Sequence, residues 1–196
     1  MKKLTLFAIA ALITTIAAAQ VQFGLKAGLN LANLSVSPNE DGTSLKMKAN
    51  LHAGAMAYVP LFGHFGLQPE VIYSGQGTKI SAEGTSINYN LNYVSVPVLF
   101  KYKDASGFFA ELGPQIGILV AGKAKSGDQS ADIKDQFKST DISGAVGIGY
   151  LSSLNLGIDA RYSLGLTNII KDAEGTTAKN GVIQIGVFYM FGGSKK

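Results

Sequence analysis

The 196-residue chain has no cysteine and no tryptophan, only two histidines, and a charged fraction of 15%. Without cysteine there is no disulfide scaffold, no thiolate metal site and no Cys nucleophile. Two histidines are too few for a His-rich metal site. Sparse charge and a positive mean hydropathy exclude a disordered chain. The excess of 17 Lys+Arg over 13 Asp+Glu is too mild for a nucleic-acid binder. Setting aside Lys2 and Lys3, which belong to a leader, leaves 15 cations against 13 acids, or +2. No run beyond that leader stays apolar for the roughly 18 residues that a transmembrane helix needs. What the chain does have is 24 glycines and a persistent alternation. At this length one domain is the default.

Lys2 and Lys3 precede an apolar stretch, Leu4 to Ile16, followed by Ala17-Ala18-Ala19. A basic start, a short apolar core and a small-residue cleavage site make a secretory signal peptide, residues 1–19. Cleavage before Gln20 leaves residues 20–196 as the mature, exported domain, 196 − 19 = 177 residues.

Eight segments with a period of two follow: Val21–Ala32, Met47–Val59, Gly66–Thr78, Tyr89–Tyr102, Phe108–Ala121, Asp141–Tyr150, Asn155–Asn168 and Asn180–Phe191. That period is the mark of strands with two unlike faces. In the fourth, the apolar phase breaks near Tyr93, which predicts a bulge or a strand end. The connections alternate as well. Long polar ones are expected at Asn33–Lys46, Lys79–Asn88, Gly122–Thr140 and Ile169–Lys179, and short ones at Pro60–Phe65, Lys103–Gly107 and Leu151–Leu154. This asymmetry fits an all-β, eight-stranded, antiparallel up-and-down transmembrane barrel, with short periplasmic turns and long outer loops. In hydrocarbon every backbone group must be bonded internally, so strands can cross only as a closed barrel.

Every position on the apolar faces is aliphatic, aromatic, Met, Gly or Pro, as lipid contact requires. The other faces carry Lys26, Lys48, Lys101 and Arg161 against Glu70, Glu111, Asp141 and Asp159, with His52 among them. Ions removed from water must pair. Four against four reads as a salt-bridged polar lumen, with glycines such as Gly28, Gly147 and Gly157 making room for long neighbours. Aromatics beside the short turns (Tyr58, Phe62, Phe65, Phe100, Tyr102, Phe108, Phe109, Tyr150, Tyr189 and Phe191) suit an interfacial girdle. A soluble barrel binding an apolar ligand would turn its apolar face inward instead.

Several segments resemble the outer-membrane β-barrel family called porin-like or PorT-like, frequent in Bacteroidetes. They are Gly24-Leu25-Lys26-Ala27-Gly28-Leu29-Asn30, Leu67-Gln68-Pro69-Glu70-Val71-Ile72-Tyr73, Leu91-Asn92-Tyr93-Val94-Ser95-Val96-Pro97, Glu111-Leu112-Gly113-Pro114 and Arg161-Tyr162-Ser163-Leu164-Gly165-Leu166-Thr167-Asn168. At Ser95 the family often has an acid. The resemblance covers the mature chain and implies an outer-membrane barrel of a Gram-negative bacterium, without implying an activity. Gln184, Gly186, Tyr189 and Phe191 look like the signal by which the barrel-assembly machinery recognises a final strand, although residues 192–196 follow the Phe.

Catalytic groupings are weak. Gly117 to Lys123 spells most of a P-loop, but Ala124 replaces the Ser/Thr that would bind Mg²⁺. His52 with Ser95, Ser143, Glu70 or Glu111 could in principle support hydrolysis. A structural interior histidine is the simpler account. No metal cluster and no cofactor are expected. The loop at 122–140 mixes Lys with Asp and reads as solvated and mobile, its lysines able to meet anionic lipopolysaccharide. The sequence therefore predicts a non-enzymatic, monomeric barrel with a structural or interaction role through its long loops. Its expected partners are outer-membrane lipid, lipopolysaccharide and the assembly machinery. A narrow porin-like channel is the alternative, and a hydrolase using His52 ranks below it.

Overall fold

The computed structural model describes residues 21–37, 44–82, 85–127, 129–171 and 175–191. The predicted leader and the residues after Phe191 lie outside that range. The elements are β1 (Gln22–Ser37), β2 (Ser44–Phe62), β3 (Phe65–Ala82), β4 (Thr85–Lys103), β5 (Phe108–Ser126), a short β6 (Gln129–Asp132), a single 3₁₀ turn (Lys134–Gln136), β7 (Thr140–Leu151), β8 (Leu156–Gly165) and β9 (Thr177–Phe191). Neighbouring strands pair antiparallel. The first and last strands meet along Phe23↔Phe191 to Ser37↔Thr177, and β4 pairs with β5, so the sheet closes into a ring of eight long strands. The small β6 hangs from β5 in the expected 122–140 loop.

Each expected strand has a counterpart, but most run further than hydropathy indicates. Three tight turns join β2 to β3, β4 to β5 and β7 to β8. At the opposite end β3 and β4 stay paired up to Ala82↔Thr85, so the polar stretch at 79–88 is a hairpin and not a long loop. Backbone pairing needs no particular side chain. Where neither face has to be apolar, alternation fades while the ladder continues.

Outward residues are exposed and apolar, Leu51 at 71% and Ile148 at 66% among them. Inward residues alternate with them, Lys26 at 3%, Glu70 at 2% and Arg161 at 2%. The predicted irregularity near Tyr93 exists as a register shift between Asn92 and Tyr93. Its extra residue belongs to β5: Asn92 faces Ala121 and Tyr93 faces Leu119, leaving Val120 unmatched. Strand β4 keeps one phase, with Leu91, Tyr93 and Ser95 all buried. The apolar pattern changes there because the interior itself becomes apolar.

Two hydrophobic clusters bracket the lumen. At the short-turn end, Met56, Tyr58, Phe109, Phe188 and Met190 pack together. At the extended end, Leu34, Leu91, Tyr93, Leu119, Ile133, Phe137, Ile169 and Ala178 do the same. Ile133 and Phe137 come from the segment expected to be solvated and mobile. Those two side chains fold inward over the mouth, while residues 129–132, 134–136 and 138–140 stay exposed as a solvated segment would. Phe137 bridges to Ile170, Lys138 N–H donates to Ile169 C=O at 2.7 Å, and Lys171 N–H donates to Gln136 C=O at 3.0 Å. Its apolar residues have no lipid to meet, and burying them against the rim removes them from water.

Candidate functional site: the luminal ion network

Between the two apolar clusters, inward positions on β1, β3, β4, β5 and β8 bring charges together. Arg161 on β8 sits at the centre. Its Nη1 and Nη2 donate to Glu70 Oε2 and Oε1 at 2.9 and 2.7 Å, a fork-to-fork pair. Its Nε and Nη2 also donate to Glu111 Oε1 at 3.0 and 2.6 Å. Lys101 lies 3.1 Å from Glu111 Oε2 and donates to Gln68 Oε1 at 2.6 Å. Gln68 Nε2 in turn donates to Glu70 Oε1 at 2.6 Å. Lys26 pairs with Asp159, whose carboxylate lies 3.9 Å from Arg161. Three cations thus face three acids, all at 6% exposure or less. Arginine suits the centre because its planar fork reaches two carboxylates at once.

The Lys101 ammonium also sits 3.6 Å from the centroid of the Phe109 ring, joining the ion layer to the aromatic one. Glycines open space for charged neighbours, as at Gly147 beside Glu111 and Arg161 and at Gly186 beside Asp159, and also for rings. A Cβ on Gly66 would lie 2.5 Å from Tyr58, on Gly149 2.3 Å from Phe109, and on Gly157 2.1 Å from Phe188. Tyr58 and Phe109 therefore leave the predicted girdle and belong to the inner plug. Phe62, Phe100, Tyr102, Phe108, Tyr189 and Phe191 do face outward. Phe65 stacks on Phe100 at 5.3 Å and Phe108 meets Tyr150 at 4.9 Å.

Of the nine residues assigned to the lumen from sequence, six form this network, and Lys48, His52 and Asp141 stand apart. Asp141 accepts from Asn180 Nδ2 at 2.8 Å and from Thr167 Oγ1 at 3.2 Å, with no cation beside it among the described residues. Lys48 bonds to Asn90 two strands away, near the extended end. His52 Nδ1 lies 2.8 Å from Asn30 Oδ1, and among the described residues Nε2 has no hydrogen-bond partner. Among the described residues no carboxylate orients the ring as a hydrolytic base would require. In the final strand Gln184 and Gly186 point inward, while Tyr189 and Phe191 point out.

Sequence reasoning missed the neutral hub. Asn30 donates to Ser74 Oγ at 2.9 Å and to Gly75 C=O at 2.8 Å, and accepts from Gln184 at 3.1 Å. It ties β1 to β3 and β9, and through His52 to β2. The available signal was an amide on the inward face of β1, next in phase after Lys26 and Gly28. Among the described residues no group of His, Asp and Glu has the arrangement of a metal site.

The comparisons agree with this architecture. The crystal structure of Neisserial surface protein A (NspA) matches with a TM-score of 0.54 and 16% identity, covering 86% of this chain and 97% of that one. Ail of Yersinia pestis, in its complex with the heparin analogue sucrose octasulfate, matches with a TM-score of 0.50 and 16% identity over 87% and 99%. At such identities the likeness is one of fold. No curated protein matches in sequence. The family model described as "Outer membrane protein beta-barrel domain" matches residues 17–171. The chain belongs to that outer-membrane β-barrel family and is an integral outer-membrane barrel protein.

Proposed function

We propose that this protein is a sealed, non-enzymatic and monomeric barrel whose role is carried by its extended end, outside the cell. The observation that supports the reading is three layers stacked in the lumen: an aromatic cluster, an ion network of three cations against three acids, and an apolar cluster at the mouth. An ion crossing it would have to disrupt pairs such as Arg161–Glu70 and pass two apolar layers with no ligands to offer. Short turns on the periplasmic side and strand extensions on the outer side follow the usual asymmetry of such barrels. The Leu67–Tyr73 and Arg161–Asn168 segments favour the PorT-like branch of the family. Residues 1–19 serve as the export signal, and Gln184 to Phe191 as the contact for the assembly machinery.

Planar-bilayer recording of the folded protein tests the reading. The sealed lumen predicts no steps above baseline at moderate salt. Steady single-channel steps would establish the porin-like conduit instead. Cell fractionation with boiled and unboiled gel samples tests membrane location in the same preparation.

A further inference from the structure

On the extended end, the outward faces of β2, β3, β4 and β5 change character abruptly. The outward apolar run on β5 ends with Ile116, Ile118 and Val120, and on β4 with Val98, Val96 and Val94. Immediately beyond come Lys123 and Lys125 on β5, and Asn92, Asn90 and Asn88 on β4. Their inward neighbours Tyr89, Leu91 and Ala124 pack in the upper cluster, so these lysines and amides face out. The register continues sideways as Lys46↔Lys79, Lys79↔Asn88 and Asn88↔Lys125, a single row across four strands. One step below, Asn90 faces Lys123 and receives the Lys48 ammonium.

Five lysines therefore gather at this end, Lys48 by way of its bond to Asn90, and two of them, Lys46 and Lys79, stand directly opposite each other. Like charges in that position oppose pairing. Among the described residues none of the five forms an ion pair. Among the described residues, the carboxylate in register with the patch is Asp132, opposite Lys123, and its Oδ1 accepts the Lys134 N–H at 2.9 Å.

We infer that this lysine-amide patch binds the phosphate groups of outer-leaflet lipopolysaccharide. Its position supports that occupant. The lysines begin where the lipid-facing wall ends, on the outward surface, which is the level of an outer-leaflet headgroup and not of a soluble ligand in the lumen. Phosphates placed among them would neutralise the Lys46–Lys79 repulsion, and Asn88, Asn90 and Asn92 supply donors beside the charges. The inference rests on the outward orientation of the extended end proposed above. Labelling of a Lys79→Cys variant on intact cells reports that orientation separately.

The test uses the full-length barrel folded in phosphatidylcholine vesicles and titrated with purified lipopolysaccharide. The readout is the midpoint temperature of its heat-dependent gel shift. Lipopolysaccharide should raise the midpoint of the native protein. A Lys79→Gln/Lys125→Gln variant should need about 25-fold more of it for the same shift, from about fivefold per lysine near an anionic surface. The arginine pair Lys79→Arg/Lys125→Arg should restore the response. The gel shift without lipopolysaccharide establishes that each variant is folded. An undiminished response in the glutamine variant would overturn the proposal. So would an equal response to phosphatase-treated lipopolysaccharide, or to phosphatidylglycerol vesicles alone.

Discussion

Arg161 and Glu70 face each other fork to fork across the full width of the barrel, from β8 to β3, at 2.9 and 2.7 Å. Three strands separate β3 from β8 in either direction round the ring, so the pair is a strut and not a neighbour contact. Arg161→Met would strand the Glu70 and Glu111 carboxylates without their central cation. The expected loss is about 3–5 kcal/mol of stability, the usual consequence of breaking a buried pair. With no tryptophan to report unfolding, urea titration of vesicle-embedded protein followed by gel shift is the measurement. Adding Glu70→Gln to Arg161→Met should cost less than the two single losses combined.

Glycine positions divide by what a side chain would meet. Gly157→Ala would place its Cβ 2.1 Å from the Phe188 ring, inside the plug. Overpacking there should cost about 1–3 kcal/mol. At Gly144 no atom of the described residues lies within 4 Å of the same position, so Gly144→Ala should leave the urea midpoint unchanged.

Phe137 anchors the lid over the mouth. Phe137→Ala removes a buried ring, and about 3 kcal/mol of local packing with it. The expected result is faster tryptic cleavage at Lys134 and Lys138, with the heat-dependent gel shift of the barrel retained. Equal cleavage rates in both proteins would mean that backbone bonds such as Lys138 N–H to Ile169 C=O hold the segment unaided.

Asp104 organises the β4–β5 turn. Its Oδ1 accepts the Ser106 hydroxyl at 2.7 Å and the backbone N–H groups of Ser106, Gly107 and Phe108 at 2.9–3.0 Å. The Ser106 hydroxyl, followed by the backbone donors, holds its carboxyl below the usual aspartate range. A carboxylate depressed in the folded state stabilises fully above its unfolded pKa of about 3.9 and loses that contribution as pH falls through the folded value. NMR of the Ser106–Phe108 amides should therefore show a titration midpoint on the acid side of 3.9. Asp104→Asn should abolish it.

The strand count, the lipid-facing wall and the phase of most strands were legible in the residue order, whereas the break expected in β4 is a bulge in β5. Alternation is a local property: successive side chains on an extended backbone point to opposite sides wherever the strand ends up. The six inward charges of the network were legible for the same reason, Lys26 and Arg161 among them. Their partners were not. Whether Glu70 meets Arg161, 91 positions away, depends on the register with which eight strands close and on the level each inward residue then occupies. Closure also carried Tyr58 and Phe109 into the plug, turned Lys48 away from the ion network and folded Ile133 and Phe137 over the mouth. A residue's face can be read along one strand, whereas its neighbours across a lumen come from strands that meet only when the ring is shut.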